Sequence, residues 1–354
     1  MTMNDDTANT ARETVDRRFL NASLKHPVTA RLHALALRRG KKRSLSFDYA
    51  AGMHAPMPDV ARYMEIKRKT SLLPLDTIKD RMKLPAIPHT VFQLQQAMEQ
   101  GVSSKGLAEI IGSDPKLSAA ILSLVNSPLY SLPMKVDSLT RAITIIGTRQ
   151  ISSLALGTRL LAMFDDTNPE NLPMQTFWKH SIACAVLAHD IAALCGRDEP
   201  ERFLVAGLLH DMGRVMLFSR YPDVARIAMS LHQEKDVPLH KAETWLFDVD
   251  HSMIGGLFFG EWGLPPGVVQ SALFHHDPGK CLGKDVAEVV YVANQIATAM
   301  GMGCNRVYCM DPGQAIWDRL DLDEDKLNSL MDGVDNRLKA LFCSLFPGAD
   351  MCRI

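Results

Sequence analysis

The first residues suited to chemistry are a histidine and an aspartate that stand side by side inside an apolar segment. Residues 204–217 read LVAGLLHDMGRVML, with His210 and Asp211 as the polar pair. Such a pair costs free energy unless each side chain finds a partner. Imidazole nitrogen and carboxylate oxygen are good ligands for a divalent cation, and a network of buried hydrogen bonds satisfies them equally well. The segment therefore predicts either a metal site or a structural hydrogen-bonded pair.

Further histidines lie on both sides of this pair in the sequence. His180 stands thirty residues earlier in the apolar segment FWKHSIACAVLAHDIAAL, His251 follows Asp250 in DVDHSMIGG, and His275-His276 closes SALFHH. Each also has a simpler interpretation: a core position for His180, a helix cap at Asp250 beside His251, and a surface position for the last pair. Three more histidines have no partner in this pattern and are expected in the core or on the surface: His189, His232 and His240.

The order of these motifs resembles a known family. The chain runs LPAIPHTVFQLQQAM over residues 84–98 and IIGSDPKLSAAILSLVNSPLYSLPMKVDSLTRAITIIGTRQISSLAL over residues 110–156, followed by GLLHDMGRVML, DHSMIGGLFFGEWGLP and FHH. Over about residues 80–300 this resembles the HDOD family, the divergent output domain of bacterial signalling proteins within the HD superfamily of metal-dependent phosphohydrolases. The resemblance implies an all-α, multi-helix HD-superfamily-like bundle.

The resemblance also implies a set of metal ligands drawn from several helices. The first ligand would be His180, and the central pair would be His210 and Asp211. Three histidines match the second-metal positions of the related HD-GYP phosphodiesterases: His251, His275 and His276. The closing residue would be Asn294. The superfamily closes with an aspartate, whereas the amide of Asn294 is a neutral and weaker donor. The catalytic candidates are Asp211 and Arg214, whose guanidinium can hold a phosphate. The implied cofactor is a divalent metal: Mn, Fe, Mg or Zn.

Two functions of different classes follow from this resemblance. One is a non-hydrolytic signalling or regulatory protein that acts through protein–protein or ligand binding. Asn294 favours it, and so does the absence of the GYP signature after the histidine pair, where the chain reads HHDPGKCLGKDV. The other is a metal-dependent phosphohydrolase or phosphodiesterase acting on a nucleotide or cyclic nucleotide through His180, His210 and Asp211. A third possibility is a site that binds a phosphate or nucleotide without cleaving it.

Helix signals position these residues. In the first half, Ser103 or Ser104, Asp114 before Pro115, and Ser138 are helix caps. The predicted helices that follow span residues 148–164, 172–195, 201–220, 222–234, 239–247, 250–261, 266–276, 284–301 and a last amphipathic segment, 327–346. No stretch alternates with the period of a strand. The predicted division is an N-terminal half over 80–165, an HD-like half over 170–300 and a C-terminal helical tail over 301–354.

Composition limits the remaining alternatives. A net charge of −1 with 22% charged residues excludes a molecule that binds nucleic acid through its overall charge. No apolar run reaches the length of a membrane span, so the expected location is cytoplasmic. The seven cysteines are irregularly spaced, which favours free thiols. The last helix is expected to pack on the domain or on a partner subunit, which leaves a homo-oligomer open. The expected partners are unidentified signalling proteins.

The first 75 residues differ from the rest. Up to Arg43 there are ten Lys or Arg against four acidic residues. This pattern predicts a flexible, partly disordered and solvated basic extension, with a helix over Val28 to Leu37. The alternative is a basic arm that binds nucleic acid, anionic lipid or an acidic partner. Nucleic-acid reading elsewhere is disfavoured, since the candidate recognition helix PKLSAAILSLVN offers one lysine and no base-reading side chains.

Overall fold

The computed structural model describes residues 12–20, 22–41, 87–164, 167, 169, 172–235, 237–281, 284–302, 309–310 and 312–347. These residues form helices and contain no strand, which confirms the predicted all-α class. In chain order the helices are α1 (Pro27–Lys41), α2 (His89–Gln100), α3 (Ser104–Gly112), α4 (Pro115–Val125), α5 (Leu139–Ile146), α6 (Thr148–Ala162), α7 (Met174–Leu194), α8 (Pro200–Leu209), α9 (Met212–Arg220), α10 (Pro222–Lys235), α11 (Leu239–Phe247), α12 (His251–Glu261), α13 (Pro266–Phe274), α14 (Lys284–Ala299), α15 (Gln314–Leu320), α16 (Glu324–Met331) and α17 (Val334–Leu345).

The predicted caps begin the helices of the first half. The Ser103 side chain accepts a hydrogen bond from the Gly106 N–H, and Asp114 accepts from the N–H groups at the start of α4. Ser138 caps α5 in the same way. Because each cap satisfies a backbone donor that has no partner within its helix, the helix starts are fixed locally. Helix α6 then packs against both α2 and α8, which joins this half to the histidine-bearing half.

Helix α7 lies between two hydrophobic clusters and is buried on nearly all sides. Residues such as Phe177 and Ile182 belong to the cluster shared with the first half, whereas Leu187 and Ile191 belong to a cluster formed with α1, α14 and the C-terminal helices. A helix that is apolar all round is expected in such a position. His180 is therefore held on an element whose position is fixed from both sides.

Two glycines bring other helices close to each other at the site. A Cβ at Gly207 of α8 would lie 2.7 Å from the Cys184 carbonyl oxygen of α7. A Cβ at Gly213 of α9 would lie 2.7 Å from the backbone nitrogen of Gly255 in α12. Real side chains do not tolerate such separations, so these positions require glycine. The two close approaches press the His210-Asp211 segment against α7 and α12.

Two predicted helices are wrong, because each is broken in the structure. The helix predicted over 201–220 ends at Leu209 and restarts at Met212, so His210 and Asp211 form a turn between α8 and α9. The segment predicted over 327–346 is two helices, α16 and α17, separated at Gly333, whose φ is 61°. Glycine adopts this left-handed conformation readily and stops a helix there.

The described part of the basic N-terminal extension is folded rather than solvated. Val15, Phe19 and Leu32 are at most 4% exposed and belong to the cluster formed with α14 and the C-terminal helices. Arg31 Nε donates to Asn328 Oδ1 at 2.7 Å, and Arg39 pairs with Asp335. Helix α1 contains the helix predicted over 28–37. Residues 42–75 of the predicted extension lie outside the described residues.

Two further predictions concern the chain as a whole. Within the described residues, no helix is both long and apolar enough to cross a membrane. Cys184, Cys195, Cys281 and Cys309 are not in disulfide bonds. Cys343 is disulfide-bonded, so the prediction of free thiols is wrong at that residue.

Candidate functional site

The eight predicted site residues come together around His180 in the first half of α7. A cavity of about 970 Å³ is lined by six of them: His180, Asp211, Arg214, His251, His276 and Asn294. The other two, His210 and His275, are also buried, with 1% and 0% of their surface exposed. They come from α7, the turn between α8 and α9, α9, the start of α12, the end of α13, and α14. Residues up to 114 positions apart in sequence therefore share one site.

Three of the histidines are anchored in the same manner. Their Nδ1 atoms lie at hydrogen-bond distance from backbone carbonyl oxygens: His180 to Met302 at 3.0 Å, His210 to Gly207 at 2.7 Å and His275 to Ala272 at 2.8 Å. Because a carbonyl oxygen only accepts, each Nδ1 carries the proton. Each neutral ring then presents the lone pair of Nε2 to the site, which is the tautomer that a metal-binding histidine needs.

Burial keeps these three rings neutral. Removal from water lowers the pKa of His180, lowers the pKa of His210 well below its usual value, and lowers the pKa of His275 to about 4. Among the described residues, Nε2 of His210 and Nε2 of His275 have no hydrogen-bond partner. The Nε2 atoms of His210 and His275 therefore carry buried lone pairs that accept no hydrogen bond from a described residue.

Asp211 is ionised and held by two side chains. Burial alone would raise the pKa of Asp211, but the charge of Arg214 and then that of His251 hold this pKa well below its usual range. Arg214 Nη1 donates to Asp211 Oδ2 at 2.8 Å, and His251 Nε2 lies 3.1 Å from Oδ1. Both oxygens of the carboxylate are thus in contact with cations of the protein.

His251 is the second cation of the site, and Glu243 makes it so. Burial would lower the pKa of His251, but the charges of Glu243 and Asp211 raise that pKa to about 10. Glu243 of α11 is fully buried. Its carboxylate accepts one hydrogen bond from Nδ1 of His251 and another from the backbone N–H of His251 at 3.0 Å. Asp211 and Glu243 therefore balance Arg214 and His251 in a buried network of four charges.

Sequence reasoning missed three residues at this site. Glu243 lies on the buried face of α11 with Leu239, Ala242 and Leu246, and a carboxylate inside that apolar pattern is the signal that could have found it. His240 was expected in the core or on the surface, but its ring stacks on His276 with centroids 4.1 Å apart. The third is Cys184, one helical turn after His180, whose Sγ lies 3.5 Å from His180 Nε2.

The histidine pair at the end of α13 is divided between two environments. His275 faces inward beside His210, with ring centroids 4.9 Å apart. His276 borders the cavity, and its Nε2 lies 2.9 Å from Nε2 of His251. The surface position that was an alternative for the pair is therefore wrong for His275. Asp250 caps α12 through the Met253 N–H, as expected for a capping aspartate.

Three groups of side chains place their ligand atoms within 4.8 Å of one another. They are His180 with Cys184 and His210, His210 with Asp211 and His275, and His251 with His275 and His276. His210 is in the first two groups and His275 is in the last two, and the buried Nε2 of each has no hydrogen-bond partner among the described residues. These donors fit a divalent cation, since an unprotonated imidazole nitrogen and an ionised carboxylate are what such an ion binds.

Comparison with known proteins agrees with the family resemblance seen in the sequence. The sequence profile of the HDOD domain matches residues 84–278, which is more than half of the chain. An uncharacterized protein from Treponema pallidum (strain Nichols) is 27% identical over 225 residues, which cover 62% of this chain. The alignment spans 42% of that relative, so the relative is much longer than the shared region.

Solved structures share the fold. An HDOD domain protein of unknown function from Geobacter sulfurreducens has a TM-score of 0.64 at 23% identity, covering 81% of this chain and 99% of that one. A protein assigned to signal transduction from Marinobacter aquaeolei VT8 has a TM-score of 0.64 at 20% identity, covering 83% and 66%. A protein assigned as a metal-dependent phosphohydrolase from Shewanella amazonensis SB2B has a TM-score of 0.57 at 22% identity, covering 78% and 100%.

Proposed function

The chain belongs to the HDOD domain family, and from this premise we propose that it is a regulatory signalling protein whose buried histidine site binds but does not hydrolyse. Its output is contact with other signalling proteins. The proposal agrees with the signal-transduction assignment of the Marinobacter structure. It extends to a cytoplasmic location and to the division into an HDOD domain over 80–300 and a helical tail.

The observation that carries the proposal is the state of Asp211. A hydrolytic metal site needs carboxylate oxygens that hold the ion and orient a bound water. Here one oxygen of Asp211 is 2.8 Å from Arg214 and the other is 3.1 Å from His251. The central carboxylate is therefore engaged by two cations of the protein, and a catalytic ion would have to displace at least one of them.

Asn294 supports the same conclusion from the other side of the site. It lines the cavity with His180 and is 8% exposed, and the family resemblance matches it to the closing aspartate of the superfamily. An amide oxygen carries no charge, so a divalent ion here would lack one of its two carboxylates. A site with fewer negative charges binds the ion less tightly and activates water less.

The donor set still fits a resident divalent metal. His210 and His275 would hold it, with His180 beside them, and Asp211 would join them by releasing Arg214 or His251. The candidates remain Mn, Fe, Mg and Zn. When bound, the ion would supply a positive charge that attracts a phosphate or carboxylate group of a ligand. The protein's own contribution is to keep three imidazoles neutral and oriented through the carbonyls of Gly207, Ala272 and Met302.

The cavity suggests a phosphate-bearing ligand such as a nucleotide. At about 970 Å³ it is large enough for one, and it is lined by the cationic Arg214, Lys241 and Lys280 and by the amides of Asn294 and Gln295. Arg214, which lines the cavity, can donate to a phosphate as well as to Asp211. Because Asp211 is engaged by Arg214 and His251, the site favours binding of such a ligand without its cleavage.

Metal and ligand binding test this proposal directly. The protein is purified without chelator or affinity-tag metal, and bound metal is measured by mass spectrometry. We expect a metal content that falls in His210→Ala and is unchanged in His89→Ala, a histidine on exposed α2 surface. Titration with nucleotides is expected to show saturable binding that Arg214→Gln weakens. Absence of saturable binding by any nucleotide tested would remove the ligand part of the proposal.

Hydrolysis is the second candidate function, and one observation favours it. His180, Asp211 and Arg214 line the same cavity, so a bound phosphodiester could reach the residues that would act on it. The Shewanella structure assigned as a metal-dependent phosphohydrolase shares the fold. Turnover by the metal-loaded protein separates the two functions.

A further inference from the structure

We propose that Cys184 is a metal ligand, so that the site favours a thiolate-binding ion, Zn²⁺ above all, over the hard cations Mn²⁺ and Mg²⁺. This inference rests on the proposed metal binding and names the ligand that sets metal preference. The sequence predicts Cys184 only as a free thiol, and its side chain is fully buried.

The geometry of α7 brings the cysteine into the site. His180 and Cys184 are four residues apart on one helix, so their side chains share a face. Cys184 Sγ and His180 Nε2 are 3.5 Å apart. A tetrahedral zinc ion with a Zn–N distance of about 2.1 Å and a Zn–S distance of about 2.3 Å separates nitrogen and sulfur by roughly 3.6 Å. The two atoms therefore already stand at the separation that one shared ion requires.

His210 supplies the third donor independently. Its Nε2 is buried without a hydrogen-bond partner among the described residues, and His180, Cys184 and His210 each place a ligand atom within 4.8 Å of the other two. Its Nδ1 proton is held by the Gly207 carbonyl at 2.7 Å, so Nε2 presents a lone pair. An unpartnered lone pair in the core costs free energy that a bound ion would recover.

The backbone is shaped to keep these donors together. A Cβ at Gly207 would lie 2.7 Å from the Cys184 carbonyl oxygen and 2.9 Å from its carbon. Glycine at this position lets α8 approach α7 at the cysteine itself, and the turn that follows places His210 over His180, with ring centroids 5.5 Å apart. The same contact thus positions all three donors.

Charge explains why a thiolate is useful here. By the family resemblance Asn294 stands where the superfamily has its closing carboxylate, and Asp211 is shared with Arg214 and His251. A cysteine that releases its proton to solvent when the metal binds adds one negative charge to the site. Two imidazoles and one thiolate are a soft donor set, which favours zinc over magnesium or manganese. The fourth position is open to His275, to Asp211 or to a ligand atom.

Cobalt substitution tests the assignment. The protein is stripped with a chelator and titrated with Co²⁺ while its absorption is recorded. We expect a thiolate-to-cobalt charge-transfer band in the near ultraviolet together with the visible bands of tetrahedral cobalt. Cys184→Ala is expected to lose the charge-transfer band and to bind Zn²⁺ at least about 100-fold more weakly, since removing even a supporting partner of a ligand costs 10–100-fold. Its Mn²⁺ affinity is expected to match that of the unsubstituted protein.

Controls separate this inference from the proposed function. Cys195→Ser, at the end of the same helix and half-buried, is expected to keep both the band and the zinc affinity. If Cys184→Ala keeps them too, Cys184 is not a ligand, while a loss of metal in His210→Ala would leave the proposed function standing. If His210→Ala also keeps its metal, both fail. Should Cys184→Ala not fold, absence of the charge-transfer band in the unsubstituted protein overturns the assignment.

Discussion

The distinctive residue of the site is His251, because it holds a charge that the other histidines do not. It bridges two carboxylates, with Nε2 at 3.1 Å from Asp211 and Nδ1 on Glu243. His180, His210 and His275 instead bind backbone carbonyls. The hydrogen-bond partner decides the protonation state of each histidine. A carboxylate stabilises the imidazolium, whereas a buried histidine bound only to a backbone carbonyl stays neutral. One residue type therefore supplies both the cation and the neutral donors.

Removal of the Glu243 charge tests this assignment at the level of single residues. Glu243→Gln leaves the buried imidazolium of His251 with one carboxylate partner instead of two. Breaking a buried ion pair costs about 3–5 kcal/mol, and we expect the free energy of unfolding, measured in denaturant without metal, to fall by about that amount. Glu109→Gln, on an exposed face of α3, is expected to change it by less than about 0.5 kcal/mol. An unchanged stability for Glu243→Gln would show that His251 is not held as a cation.

The pH dependence of stability follows from the same histidines. The pKa of His240 and that of His275 are each lowered to about 4, mainly by burial. Between pH 6.5 and 4 these two histidines are protonated in the unfolded chain but stay neutral in the folded chain. The free energy of unfolding therefore falls with falling pH, by up to about 1.4 kcal/mol per pH unit for each group. Above pH 6.5 His251, with its pKa raised to about 10, keeps a proton that the unfolded chain releases, so stability falls again as pH rises.

Urea unfolding of the chelated protein at a series of pH values measures this profile. We expect a maximum near pH 6.5 and a shallower acid limb in His240→Gln than in the unsubstituted protein. A stability that rises steadily from pH 6 to pH 4 would contradict the neutral state of these histidines.

At the scale of elements, glycines decide how closely the site helices approach. Gly207→Ala places a methyl group 2.7 Å from the Cys184 carbonyl oxygen, and backbone atoms cannot move aside cheaply. We expect a loss of stability of about 1–3 kcal/mol, together with weaker metal binding, because α8 must move away from α7. Gly106→Ala is the matched control, since its Cβ would meet only contacts of 3.6 Å or more and alanine favours a helix. Equal thermal midpoints for the two variants would contradict the close-approach explanation.

Helix identity was readable from the sequence, but the interruption at His210-Asp211 was not. Apolar spacing and caps such as Asp114 and Ser138 predict most helices within a few residues. The break at His210-Asp211 has no proline or glycine to signal it. Its cause is tertiary, since Asp211 turns toward Arg214 of the next helix and His251 of α12. For the same reason Glu243 was missed, because its partner lies eight residues away in a different helix.

At the scale of the whole molecule, the described part of the N-terminal segment, residues 12–20 and 22–41, belongs to the folded core. Composition alone predicted a solvated extension, because the ten basic residues up to Arg43 outnumber four acidic ones. The apolar residues between those charges, Val28, Leu32 and Ala36, fall on one face of α1 and are at most 5% exposed. That face packs on α14 and α16, the first of which carries Asn294. The segment therefore supports an element of the site.

Truncation of one side chain in this helix measures that support. Leu32→Ala removes a side chain that is 1% exposed, and we expect the free energy of unfolding to fall by about 2–5 kcal/mol. Leu24→Ala, at a position 46% exposed, is expected to have little effect. If the two variants are equally stable, the N-terminal segment does not pack on the domain in solution.

Turnover by the metal-loaded protein tests the central claim most directly. The unsubstituted protein, loaded in turn with Mn²⁺ and Zn²⁺ and with its bound metal measured in the same sample, is assayed with a generic phosphodiester substrate. We predict bound metal without turnover above the rate of His210→Ala, and at most a partial gain in Asn294→Asp. Turnover that rises in proportion to bound metal and disappears in His210→Ala would contradict the account and identify the protein as a hydrolase.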